Sequence, residues 1–130
     1  MSDRDVERLA QLAVDAAFHL YRELGPGLLE SVYETLLATK LERAGVKVDR
    51  QRPIDIIYEG IEFQRALVAD LVLDNCFLIE VKSVEKTAPV HVKQLLTYLR
   101  LMRLPLGLLV NFGAASFREG VRRVVNDHHP

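Results

Sequence analysis

The sequence holds one cysteine, Cys76. That excludes a disulfide framework within the chain, and equally a four-cysteine zinc or iron–sulfur site. A lone thiol suits a reducing compartment, so the expected location is cytoplasmic. Cys76 falls at a turn, with no histidine placed to activate it, and reads as a space-filler rather than a nucleophile. Net charge is almost absent: 17 basic residues face 18 acidic ones, a balance of −1. Strong, sequence-blind adhesion to nucleic acid is therefore not expected, although a local basic groove remains compatible with the count. No run approaches the ~18 apolar residues of a membrane span. The opening "MSDRDVERLA" lacks the apolar stretch of a signal peptide. Internal repeats and low-complexity segments are missing too.

What is there fits an ordinary globular chain, 49% hydrophobic and 27% charged. Its 130 residues suffice for one domain, expected over residues 1–130, that buries roughly two-thirds of its unfolded surface. Helical spacing of Leu9, Leu12, Ala13, Ala16 and Leu20 predicts a helix from Ser2 to Leu24, capped by Ser2 or Asp3 and broken by Gly25–Gly27. A second helix is expected from Leu28 to Ala44, with Leu29, Val32, Leu36 and Leu37 as its apolar positions and Gly45 as its stop. Val46–Val48 suggests a short strand, and the polar Asp49–Pro53 a connection. Ile54–Phe63 reads as two short strands joined at Glu59–Gly60.

Helical periodicity returns from Pro89 to Leu104, and Leu106–Phe112 has the continuous apolar character of a strand covered on both faces. Ser116–Glu119 has capping-box spacing and should open a last helix, with Phe117, Val121, Val124 and Val125 inward. The expected order is α-α-β-β-β-β-α-β-α. It points to an α/β fold with a mixed β-sheet flanked by α-helices.

The chemistry lies in "ADLVLDNCFLIEVKS", Ala69–Ser83. Two greasy strands surround a turn, yet they carry Asp70, Glu80 and Lys82. Side chains two apart in a strand share a face, so Glu80 and Lys82 point the same way. A two-residue turn would place Asp70 on the wrong face. A three-residue loop, Asp74–Cys76, sets Asp70 opposite Glu80, with Asn75 tolerating the left-handed conformation such loops need. Carboxylates whose Cβ atoms are ~5 Å apart repel unless something positive lies between them. A divalent cation resolves this. Mg2+ takes hard oxygen ligands and uses one or two carboxylates. Asp70 and Glu80 supply them, the backbone carbonyl of Val81 can add a third ligand, and Lys82 would stabilise charge developing on phosphorus. The plain alternative is a Glu80–Lys82 ion pair on the wet face of an edge strand, worth ~0–1 kcal/mol.

Asp70 followed by Ile79–Lys82 resembles the D…(D/E)-x-K signature of the PD-(D/E)xK nuclease superfamily. Gly25–Leu37 looks like the opening of the bacterial GxxExxY proteins, the motif being matched by Gly27, Glu30 and Tyr33. Ala88–Phe112 is similar to that family as well. The resemblance implies a restriction-endonuclease-like core with helices on both faces of the sheet, Mg2+ (or Mn2+) at Asp70 and Glu80, and Lys82 as catalytic lysine. Glu30 would be the additional acidic residue of RecB-like nucleases, and Gln94 and Tyr98 their Q-x-x-x-Y motif. Ala69 stands where the superfamily name has proline.

Residue patterns add to this. Glu30 opens a helix, where the dipole favours an anion. Gln94 and Tyr98 share a helix face, and His91 lies on nearly the same stripe, as a supporting or DNA-contacting residue. Basic groups at Arg43, Lys47, Arg50 and Arg52, at Lys82, Lys86, Lys93 and Arg100, and at Arg118, Arg122 and Arg123 read as solvated faces, of which those nearest the acidic site could hold a phosphate backbone. His128 and His129 are expected to fray. The expected function is metal-dependent hydrolysis of phosphodiester bonds in nucleic acid, DNA first, by water activated at the metal. A homodimer would bring two sites to a duplex. The alternatives are a non-catalytic nucleic-acid-binding or assembly subunit of the same fold, and hydrolysis of another phosphate ester.

Overall fold

The computed structural model describes residues 2–127; His128 and His129 lie outside the described residues. Helix α1 spans Asp3–Leu24. Ser2 caps it, its hydroxyl accepting the Asp5 N–H at 3.2 Å while the Asp5 carboxylate takes the Ser2 N–H at 3.3 Å. Val6, Leu9, Ala10, Ala13, Ala17 and Leu20 form its buried stripe, and the alanines let the helix sit close to the sheet. Helix α2 spans Glu30–Arg43, two residues later than expected at its start. Its buried face is Tyr33, Glu34, Leu37, Ala38 and Leu41. Of the four apolar positions anticipated there only Leu37 faces the core; Leu29, Val32 and Leu36 are exposed.

The middle of the chain differs most from expectation. Strand β1 runs Val48–Tyr58 and β2 runs Ile61–Leu73, so Asp49–Pro53 is strand rather than connection. The short strands of the sequence reading merge into one long hairpin. It turns at Glu59–Gly60, both with positive φ (50° and 79°), as a two-residue hairpin turn requires. Because β1 is an edge strand, it tolerates both polar side chains and Pro53.

Strand β3, Phe77–Lys82, follows a three-residue loop in which Asp74 and Asn75 take φ of 48° and 59°. Helix α3, Pro89–Met102, and strand β4, Leu106–Asn111, follow. The final helix is a single turn, α4, Phe117–Gly120. Ser116 does cap it, accepting the Glu119 N–H at 3.2 Å. Val121–Val125, expected as helix, is strand β5. It pairs antiparallel with β4, Leu106 opposite Val125 and Val110 opposite Val121. Three valines in five residues favour strand, and Gly120 lets the chain pass so close to the Asn111 carbonyl that a Cβ there would clash with it.

The sheet order is β1-β2-β3-β4-β5, with only the β3–β4 pair parallel. Helices α1 and α2 pack on one face over Leu71, Leu73, Phe77, Ile79, Val81, Leu108 and Val110. Helix α3 covers the other over Leu67, Ala69, Val72, Leu78 and Leu109. It comes close because Gly107 has no Cβ; one there would stand 3.1–3.2 Å from Leu99 and Leu95. The mixed sheet with helices on both faces is therefore present.

Candidate active site

The site assembles where β3 ends. The β2–β3 register pairs Leu73 with Phe77, Val72 with Leu78 and Leu71 with Ile79, so continuing it by one residue sets Asp70 against Glu80. The regular ladder stops at that point. The Asp70 N–H donates to Glu80 Oε2 at 3.3 Å, and Asp70 Oδ2 accepts the Val81 N–H at 2.8 Å. A strand residue's N–H and C=O project to the same side. The Val81 carbonyl therefore also points toward β2, on the side of the Asp70 carboxylate. The Lys82 carbonyl faces the opposite way and accepts the Phe112 N–H at 2.8 Å.

Glu80 is 7% exposed and lies on the α3 face with Leu78. Burial first, then hydrogen bonding to and repulsion by Asp70, push its carboxyl up to about 10 against the opposing pull of Lys82. Without a cation the pair is thus short of positive charge. Hard oxygen donors crowded in a dry corner fit a divalent ion, which relieves that repulsion. Among the described residues no group of three or more His, Cys, Asp or Glu side chains is placed to share an ion. The centre thus offers two carboxylates and a carbonyl rather than a full protein cage.

Lys82 is half-buried and forms no direct ion pair among the described residues. The Glu80–Lys82 surface pair considered from the sequence is not formed. Its ammonium acts at longer range on Glu80 and Glu30. Glu30 starts α2 and reaches the same place. Partial desolvation raises its carboxyl, with Lys82 and His91 pulling it down and Asp70 and Glu34 pushing it up. The entry to α2 is pinned from two sides. Tyr33 stacks on Phe112 at 4.4 Å, donates its hydroxyl to the Gly25 carbonyl at 2.5 Å and accepts the Leu28 N–H at 3.1 Å. Ser83, just after β3, donates to the Leu28 carbonyl at 2.7 Å. Tyr33 is thus a buried strut, and the glycine-rich loop it holds fixes where Glu30 stands.

Helix α3 contributes unevenly. Tyr98 packs on the core beside it, and its hydroxyl is raised by burial and then by the charges of Glu80 and Asp70. Gln94 is exposed one turn earlier on the same face. His91 uses Nδ1 to accept the Ala88 N–H at 3.1 Å. Through that bond it caps the start of α3, while standing near enough to Glu30 to act on it.

Two residues of the cluster have no counterpart in the sequence reading. Glu34 is 5% exposed, and Gln51 donates from Nε2 to Glu34 Oε1 at 2.5 Å and to Asp70 Oδ1 at 3.2 Å. Arg50 pairs with Glu34 at 3.3 Å. Glu34 was visible in principle, since it lies four residues after Glu30 on one helix face. Gln51 was hidden in a stretch taken for a connection.

The remaining candidates belong elsewhere. Asp74 serves its turn, accepting the Lys47 N–H at 2.9 Å. Cys76 is buried and its thiol is raised by burial and Asp74, which suppresses the thiolate. Arg52 is tied to Asp49 and Asn75, and Arg123 to Glu7. No helix among the described residues is long and apolar enough to cross a membrane.

No curated protein and no solved structure matches the chain. A family model does, over residues 7–124, a span that runs from α1 through β5. The mixed five-stranded sheet agrees with a restriction-endonuclease-like fold. A match over most of the sequence, together with that sheet, establishes that the chain belongs to the PD-(D/E)XK nuclease superfamily.

Proposed function

We propose that this protein is a metal-dependent nuclease of the GxxExxY type, a single domain over residues 1–130 that hydrolyses phosphodiester bonds in nucleic acid, DNA first. The observation carrying this reading is the meeting of the Asp70 and Glu80 carboxylates at the end of β3, with Glu80 pushed up to about 10 by burial and by its neighbour. Superfamily members typically use divalent metals. Here Asp70, Glu80 and the Val81 carbonyl would hold Mg2+, or Mn2+ in its place. When bound, the cation supplies Lewis-acid activation of water and neutralises charge on the phosphate.

The chain's own residues do the rest. Lys82, uncommitted to any direct ion pair among the described residues, presents Nζ to the negative charge that develops on phosphorus. Glu30 keeps that ammonium oriented from across the site. Tyr98 and the exposed Gln94 line the approach on α3 and contact the phosphate backbone, with His91 beside them. Two copies would present two such centres to a duplex. A cytoplasmic location agrees with the single buried thiol.

The test is incubation of purified protein with labelled single- and double-stranded DNA and RNA in Mg2+, in Mn2+ or in EDTA. Cleavage in either metal, absent in EDTA, is the expected result. Salt-sensitive binding without cleavage of any substrate would overturn it in favour of a non-catalytic subunit.

A further inference from the structure

Gln51 holds a backbone conformation foreign to a strand. Its φ is 48°, in the left-handed region that residues with a Cβ avoid. The β1–β2 ladder pairs Arg50 with Leu71 and Arg52 with Ala69, but skips Gln51 and Asp70 between them. Strand β2 changes phase at the same place. Ala69 packs under α3 and Leu71 under α1 and α2, although residues two apart in a regular strand share a face. Both strands are thus distorted at the one position that carries a candidate ligand.

The distortion places the Gln51 carboxamide between two carboxylates. Its Nε2 has two hydrogens, and it has two acceptors: Glu34 Oε1 at 2.5 Å and Asp70 Oδ1 at 3.2 Å. Glu34 is buried and anchored in turn by Arg50 at 3.3 Å. The other Asp70 oxygen is gripped by the Val81 N–H at 2.8 Å. A continuous relay therefore runs from α2 through β1 to β2 and β3, and it fixes both oxygens of Asp70. Hydrogen bonds to ligating carboxylates set their orientation and tune metal affinity.

We infer that Gln51 is a positioning residue for the metal centre, orienting the Asp70 carboxylate and itself held by Glu34. This rests on Asp70 and Glu80 being metal ligands. Gln51 touches no reacting atom; it acts through Asp70, and the local strain of β1 is retained because it delivers this side chain.

The test is titration of the metal-free, full-length chain with Mn2+, read by calorimetry or by the paramagnetic signal of free Mn2+, alongside thermal unfolding. Gln51→Met removes both donors at nearly constant length and should weaken Mn2+ binding roughly 10- to 100-fold. Gln51→Gly should weaken it as much with no fall in melting temperature, because glycine adopts this φ freely. A purely structural role would not separate affinity from stability in that way. Glu34→Gln keeps an acceptor for Nε2 and should stay within a few-fold of wild type. The double variant of Gln51→Met with Glu34→Leu should bind no more weakly than either single variant, since both cut one relay. Wild-type affinity in the Gln51 variants, or full additivity with Glu34→Leu, would overturn this inference alone. Absence of Mn2+ binding by the wild type would overturn it together with the nuclease reading.

Discussion

Replacing Lys82 by alanine should lower metal-dependent cleavage roughly 100- to 1,000-fold, the usual consequence of removing one preorganised donor aimed at developing charge. Folding should be little affected. Lys82 is half-buried at the end of β3 and forms no direct ion pair among the described residues, so its removal strands no tightly bound partner. Metal affinity should not fall, because the ammonium stands near the carboxylates as a competing positive charge. Steady-state cleavage of a labelled duplex and Mn2+ titration of the same preparation check both halves. Lys82→Arg refines the reading. Arginine keeps the charge but does not give up its proton. Partial activity would identify charge stabilisation as the role, and a loss equal to that of alanine would identify proton transfer or strict geometry. Unchanged cleavage by Lys82→Ala would remove the lysine from the mechanism.

Glu80→Gln should abolish cleavage and yet stabilise the metal-free protein above neutral pH. The sign follows from linkage. The Glu80 carboxyl has the ordinary glutamate value of 4.5 when unfolded and is raised to about 10 when folded, chiefly by burial and secondarily by Asp70. Between those values the native state holds a proton that the unfolded chain has released. Its contribution to stability is therefore complete below the lower value, and is lost progressively as pH rises to the upper one. Glutamine stays neutral throughout and removes this slope. At pH 8 the variant should be more stable by a few kcal/mol, because the gap grows by up to roughly 1.4 kcal/mol for each pH unit above the lower value. Urea unfolding of both proteins in EDTA, from pH 5 to 9, measures the difference with the other titrating groups held in common. A gap that widens with pH is expected, and it should narrow when Mg2+ is added to the wild type. A pH-independent difference would show that Glu80 does not carry a strongly raised pKa. Such an exchange of stability for function is expected wherever like charges are gathered to receive a cation.

The pairing of the Asp70 and Glu80 carboxylates was legible because a strand has a period of two. Asp70 and Glu80 fall on one face only if the loop spans Asp74–Cys76, and the polar, turn-favouring Asp74 and Asn75 marked it. The helices α1 and α3 were equally plain, with long apolar stripes and a cap or proline at their starts. Strand β5 was not. Val121, Val124 and Val125 recur at helical as well as strand-compatible spacing, and Ser116 does cap a genuine turn. What decides the outcome is tertiary: β4 needs a partner along its edge, and Gly120 permits the chain to lie against Asn111. The polar run Asp49–Pro53 was obscured because an edge strand may expose polar side chains and a proline, as a loop does. On α2, two apolar stripes compete, and periodicity alone does not tell that Leu29, Val32 and Leu36 face outward while Tyr33, Leu37 and Leu41 face the sheet. Gln51 was the least accessible, since its role depends on a positive φ that its sequence neighbours do not announce.

The most direct measurement is diffraction at the manganese absorption edge from crystals of the wild-type protein soaked in Mn2+. The proposed metal centre requires an anomalous peak bounded by the carboxylates of Asp70 and Glu80 and the carbonyl of Val81, lost in crystals of Asp70→Asn. An empty position there at millimolar Mn2+, or a peak that persists without the Asp70 carboxylate, would contradict it.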